Sequence, residues 1–162
     1  MNVKQISVVL DNVPGALCKM TDVLAEKRIS IRALTVADSA DFSTVRLIVD
    51  NVLWASSVLT KAGFRVSSTD VLAVEVLNIP GGLNKFLHLL KESGVNIEYM
   101  YAIGGRYSSF GENICLVFKF ADNERAAEVL ASAGIKLIGH GELAGMSMTF
   151  PEGVHLSGGL HA

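Results

Sequence analysis

Two rhythms of apolar positions take turns along the chain. Ile6-Ser7-Val8-Val9-Leu10 is a β-branched apolar run, which predicts a strand. From Gly15 the apolar residues Leu17, Met20, Val23 and Leu24 follow helical spacing, predicting a helix to about Lys27. Ile29 to Val36 alternates and is rich in β-branched residues, a second strand. Ala37 to Phe42 reads as a loop, and Thr44 to Asp50 as a third strand antiparallel to the second. Asp50-Asn51 offers a cap for a second helix carrying Leu53, Ala55, Val58, Leu59 and Ala62, and Gly63 stands where helices end. Phe64 to Val66 begins a fourth strand.

The same order then starts again. Strand Val71–Leu77, helix Gly82–Lys91, strands Val95–Ile103 and Asn113–Phe120, helix Asn123–Ala133 and strand Ile135–Ile138 come in turn. Ile29-Ser30-Ile31 corresponds to Val95-Asn96-Ile97, Asp50-Asn51 to Asp122-Asn123, and Ala62-Gly63-Phe64 to Ala133-Gly134-Ile135. The pattern is βαββαβ stated twice, with the seam near Ser67–Asp70 and a longer loop, Gly104–Glu112, in the second copy. Residues 1–69 and 70–140 are the two units, and residues 141–162 are a C-terminal tail. Each helix has one apolar stripe, so two helices covering one face of an antiparallel sheet satisfy both. Right-handed crossovers then give an α+β fold of two ferredoxin-like units. One sheet face stays bare, and strict alternation puts Leu34, Val36 and Ile48 on it, opposite Ile31, Ala33 and Leu47. Apolar residues there call for a second sheet, from the other unit or from another chain.

One phrase punctuates both units. Asn12-Val13-Pro14-Gly15-Ala16-Leu17 recurs as Asn78-Ile79-Pro80-Gly81-Gly82-Leu83, each time between the first strand and the first helix. Proline suits the first helical position, which makes Val13 and Ile79 the caps, and both are poor ones. A shift of one residue in the boundary would make Asn12 and Asn78 the caps instead. With Val13 and Ile79 the first amides of the helix lack a side-chain partner, leaving water or a bound anion such as a carboxylate.

The chain has 162 residues, half of them hydrophobic and 19% charged, with a formal charge of −2 and a pI near 6.1. That balance excludes disorder over most of the length and a basic nucleic-acid surface. An RNA-binding module of this topology needs aromatics on its third strand, and Thr44–Asp50 has none. Cys18 and Cys115 lack metal spacing and read as core residues in a reducing compartment. His140, His155 and His161 match no metal motif, so neither a metal nor a cofactor is expected. The apolar run before Asp11 is too short for a signal peptide or membrane span, so the expected location is cytoplasmic. No catalytic triad, paired carboxylates or phosphate cradle is recognisable, which points away from an enzyme. In the tail, Met146, Met148 and Phe150 alternate as a short edge strand would.

Two βαββαβ units, each with Asn-x-Pro-Gly-x-Leu before its first helix and Val/Ile-Ser/Asn-Ile opening its second strand, resemble a tandem ACT domain protein over residues 1–140. The resemblance implies a regulatory module of amino-acid metabolism that binds an amino acid where two units meet side by side through second-strand edges. It implies that Asn12 and Asn78 hold the ligand, with Asn96, or its counterpart Ser30, reaching in from the neighbouring unit. Serine-responsive members carry a histidine two residues before the Asn, where this chain has Leu10 and Val76, which speaks against serine. The expected site is therefore Asn12, Val13, Pro14, Gly15, Ala16, Leu17 and Ser30 with Asn78, Ile79, Pro80, Gly81, Gly82, Leu83 and Asn96, at the junction of the repeats. The double glycine and Asn96 favour the second copy. Expected partners are an amino acid, a second copy of the chain in a homodimer, and a metabolic enzyme under its control, with no nucleic acid or membrane. The alternative is a ligand-free assembly or partner-binding module. Tyr99 and Tyr101 replace Ala33 and Thr35, and Arg106, Tyr107 and Phe110 replace Asp38, Asp41 and Phe42, so the copies have unequal walls.

Overall fold

The computed structural model describes residues 2–39, 41–103 and 113–145. The first unit comprises β1 (Val3–Asp11), α1 (Ala16–Glu26), β2 (Ile31–Asp38), β3 (Phe42–Val49) and α2 (Val52–Lys61). Beyond it come β4 (Arg65–Leu77), α3 (Gly82–Glu92), β5 (Ile97–Ala102), β6 (Asn113–Phe120), α4 (Asn123–Ser132), β7 (Leu137–Ile138) and α5 (His140–Gly145). The seam expected at Ser67–Asp70 is not a break. The last strand of the first unit and the first strand of the second are one 13-residue strand, β4. Its polar stretch stays extended because β1 pairs with it residue by residue, Ser67 with Ser7, Thr69 with Gln5 and Asp70 with Lys4. The Lys4–Asp70 ion pair at 2.9 Å caps that ladder. The C-terminal half of β4 pairs with β6 and β7.

The strands form one antiparallel sheet in the order β2-β3-β1-β4-β6-β5, with β7 also on β4. The helices lie on one face. α1 and α2 bury Met20, Leu24, Ala55 and Leu59 against Ile6, Val8, Val45 and Leu47. α3 and α4 do the same in the second unit with Phe86, Leu90 and Leu130 against Leu72, Phe118 and Phe120. Asn51 and Asp122 cap α2 and α4 by accepting from the amides of Trp54 (3.0 Å) and Arg125 (2.9 Å).

The helix-free face closes on itself. Val3, Ala33 and Ile48 of the first unit form one core with Tyr101, Ile103, Cys115, Val117 and Ile138 of the second. Strict alternation misplaces three residues here, Ala33, Leu34 and Val36. A register shift between Ile31 and Ala33 turns Ala33 to the Ile48 side, while Leu34 pairs with Leu47 and Val36 with Val45. Leu34 and Val36 therefore lie on the helix side of the sheet, exposed at the β2 edge, and only Ile48 of the expected trio is covered. The second unit repeats the irregularity between Ile97 and Tyr99. A bulge inserts one residue and reverses the facing of every residue after it in the strand.

One buried polar group sits between the layers. The Gln5 side chain is fully buried, donates to the Tyr99 hydroxyl (2.9 Å) and Ser7 Oγ (3.1 Å), and accepts from the Tyr101 hydroxyl (2.9 Å). Arg46 stacks on the Tyr99 ring, 4.1 Å from its centroid. Both tyrosines thus serve the inter-repeat core. Burial raises the Tyr101 phenol well above its ordinary range, and pushes the Cys115 thiol up to about 12.

α5 is the one element that the tail was not expected to contain. Its Leu143 is buried in the inter-repeat core, so the chain past residue 140 begins as part of the fold. The Gly104–Glu112 loop, the expected Met146–Phe150 strand, and His155 and His161 lie outside the described residues.

Candidate ligand cleft at the start of the first helix

The recurring phrase forms a turn in which glycine, rather than the residue before proline, is the cap. Gly15 (φ 85, ψ −10) and Gly81 (φ 82, ψ −4) hold the left-handed conformation, each just before its helix. The Ala16 amide donates to the Val13 carbonyl (3.3 Å) and the Gly82 amide to that of Ile79 (2.9 Å), closing a type II turn with proline second and glycine third. This displaces Val13, Ile79, Asn12 and Asn78 from the cap position. The Asn12 side chain instead donates to the Ser39 carbonyl (3.4 Å). Neither α1 nor α3 has a side-chain cap. The turn uses the amides of Ala16 and Gly82, and helix geometry leaves those of Leu17 and Cys18, and of Leu83 and Asn84, pointing out of the helix start.

At the first copy Leu17 and Cys18 follow Ala16 directly in the helix, and the turn, Ala16 and Lys19 line a cleft of about 520 Å³. Its walls are the end of β1 (Val9–Asp11), the turn and first residues of α1 (Val13–Ala16, Lys19), and the junction of α2 with β4 (Ala62–Arg65). Asp11, Lys19 and Arg65 bring one negative and two positive side chains to it. Among the described residues none of the three has an ion-pair partner. Lys19 and Arg65 were missed by sequence reasoning, although a signal was present: both positions are basic again in the second copy, as Lys85 and Lys136.

The two copies of the phrase are not brought together. Val9 pairs with Arg65 at one end of β4, whereas Asn78 comes after Leu77 at the other. Thirteen residues of strand separate them, about 43 Å at 3.3 Å per residue. Ser30 and Asn96 precede β2 and β5, whose far ends approach the phrase of their own unit, so each stands a strand's length from it. β2 and β5 themselves occupy opposite ends of the strand order and do not pair. The room expected at Gly82 is also taken, because a Cβ there would overlap the Leu77 carbonyl oxygen. Gly82 serves helix packing.

Among the described residues no group of three or more His, Cys, Asp or Glu could hold a metal ion. Among them, too, no helix is long and apolar enough to cross a membrane. A family model described as an ACT domain pair matches residues 1–147. The chain belongs to the ACT domain pair family. The match runs through α5, in keeping with the burial of Leu143. Protein BT0572 from Bacteroides thetaiotaomicron is similar at 34% identity and a TM-score of 0.82, over 90% of this chain and 97% of that one. The ligand-free regulatory subunit of aspartate kinase from Thermus thermophilus is 17% identical, with a TM-score of 0.58 over 81% and 90% of the two chains. The corresponding subunit from Thermus flavus is 17% identical, with a TM-score of 0.57 over 83% and 94%. These two share the fold of this ACT pair. No functionally curated protein matches it.

Proposed function

We propose that this ACT pair is a regulatory module without catalytic activity that binds a free amino acid at the start of α1. The observation that carries the reading is the cleft there, where the start of a helix without a side-chain cap borders Asp11, Lys19 and Arg65, none of them ion-paired among the described residues. A zwitterion has complementary parts. Its carboxylate takes the Leu17 and Cys18 amides, aided by the positive end of the helix, together with a basic side chain. Its ammonium takes the Asp11 carboxylate. The first copy is thus favoured over the second, where Leu77 replaces Asp11.

The experiment is calorimetric titration with the twenty common amino acids. At least one should bind, and Arg65→Ala should weaken it about tenfold or more, the cost of one charge-assisted hydrogen bond of about 1.5–3 kcal/mol. Stability should hardly change, since Arg65 is exposed.

A second reading rests on the β2 edge. Leu34 and Val36 of this end strand, with Val13, Leu17 and Phe42, are exposed apolar residues beside the first turn. An edge strand with such a border is suited to pairing with a second copy of the chain. Antiparallel pairing of that kind would set the start of one strand, with Ser30 or Asn96, against the end of another, near Asn12 or Asn78. It is compatible with ligand binding in a homodimer, and stands alone as a ligand-free assembly role if no amino acid gives heat.

A further inference from the structure

The basic residues that line the cleft recur at the matching positions of the second unit, and the two copies differ in what meets the cation. Arg65 stands opposite Val9 in the β1–β4 ladder, next to Val66 opposite Val8. In the second unit Leu137 pairs with Val74 and Ile138 with Ala73, which sets Lys136 beside Glu75. Lys136 is therefore the second Arg65, Glu75 the second Val9, and Lys85 the second Lys19. Arg65 has no ion-pair partner among the described residues, but Lys136 has two carboxylates. Its Nζ lies 2.7 Å from Glu142 Oε1 and 3.4 Å from Glu75 Oε1, while the other oxygen of Glu75 accepts from Asn113 Nδ2 (3.3 Å). The hydrogen bond to Glu142 is the main reason that the Lys136 ammonium is held above its ordinary pKa.

Topology explains the difference. After Arg65 the chain continues along β4 into the second unit. After the two residues of β7 it turns into α5, and Leu143, buried in the inter-repeat core, fixes that helix so that Glu142 meets Lys136. Among the described residues the first unit has no counterpart of α5.

We propose that Glu142 is a built-in occupant of the second copy, and that the first copy takes its equivalent from solution: an amino acid with a second carboxylate, such as L-aspartate or L-glutamate. One acid and two bases line the open cleft, which matches one ammonium and two carboxylates. The second copy, with Lys85 and Lys136 set against Glu75 and Glu142, has no net charge left to attract an anion. This deepens the reading of the first cleft as an amino-acid site and rests on it.

Calorimetry with L-aspartate, L-glutamate and, as a single-carboxylate control, L-glutamine tests it on the wild type and on a Glu75→Gln/Glu142→Gln variant. The wild type should bind one acidic amino acid per chain, and L-glutamine at least tenfold more weakly. The double variant should bind a second, more weakly than the first because Leu77 stands where Asp11 receives the ammonium. The single variant Glu142→Gln, changed only at an exposed position, gives the same readout if the double variant does not fold. Two acidic ligands per wild-type chain, or one per folded variant chain, would overturn the inference. A neutral amino acid binding the wild type as tightly as L-glutamate would also overturn it while leaving the amino-acid reading intact. Absence of binding by the whole twenty-member panel removes both.

Discussion

Gly82→Ala is expected to lower stability by about 3 kcal/mol, toward the upper part of the range for forcing an extra methyl group into a packed site. The first residue of α3 lies so close to the end of β4 that a Cβ would overlap the Leu77 carbonyl oxygen and come within 3.3 Å of Leu77 Cβ. Neither is the end of a flexible side chain, so α3 itself must move, and with it Phe86 and Leu90 of the second core. The same position in the first unit is Ala16, where the chain accepts a methyl group. Urea unfolding should show the loss, and thermal unfolding a fall of about 6–12 °C for a chain of this size. A change below about 1 kcal/mol would mean that the helix start is looser than its packing shows.

Gln5→Ala is the second large effect. The variant removes the only buried side chain that joins β1 to β5 by hydrogen bonds among the described residues, and leaves the Tyr101 hydroxyl without its acceptor. Three lost hydrogen bonds, one of which leaves a buried hydroxyl unpaired, together cost about 3 kcal/mol. A double-mutant cycle separates this from simple loss of volume. Gln5→Leu with Tyr101→Phe removes both polar partners, and the pair should be at least about 1 kcal/mol more stable than the sum of the singles. Tyr101 also adds a pH signature. Its phenol holds its proton in the folded state well above the value near 10 of the unfolded chain, so the folded state binds more protons above pH 10 and stability falls there. The Cys115 thiol, pushed up to about 12, acts with the same sign from about pH 9. Tyr101→Phe should flatten the fall above pH 10, as followed by unfolding at stepped pH.

Much of this fold is legible in local sequence signals. The duplicated order, the capping by Asn51 and Asp122, and the helix stripes that become two cores all arise from periodicity and short-range chemistry. The features that escape depend on long-range pairing. Ser67 to Asp70 looks like a linker until β1 is laid beside it, and then its polar side chains become ordinary occupants of a strand. The bulges at Arg32 and Glu98 carry no residue signal, yet each reverses a face, which is why strict alternation assigns Leu34 and Val36 to the wrong side. At the site, the Pro-Gly phrase marks the right turn, and the absence of a side-chain cap is legible from Val13 and Ile79. The identity of the cap is not, because a type II turn places glycine rather than proline next to the helix. Lys19 and Arg65 lie 46 residues apart and meet only through the junction of α2 with β4. The demand on Gly82 comes from the backbone of Leu77, not from space for a ligand.

The binding of an amino acid at the start of α1 is tested most directly by amide chemical shifts during an amino-acid titration of the isotope-labelled chain. The Leu17 and Cys18 amides, which the helix leaves unbonded, should shift progressively and saturate with the calorimetric affinity. Leu83 and Asn84, their counterparts at the start of α3, should stay in place. Saturable shifts at Leu83 and Asn84 with Leu17 and Cys18 unmoved would contradict the assignment of the site.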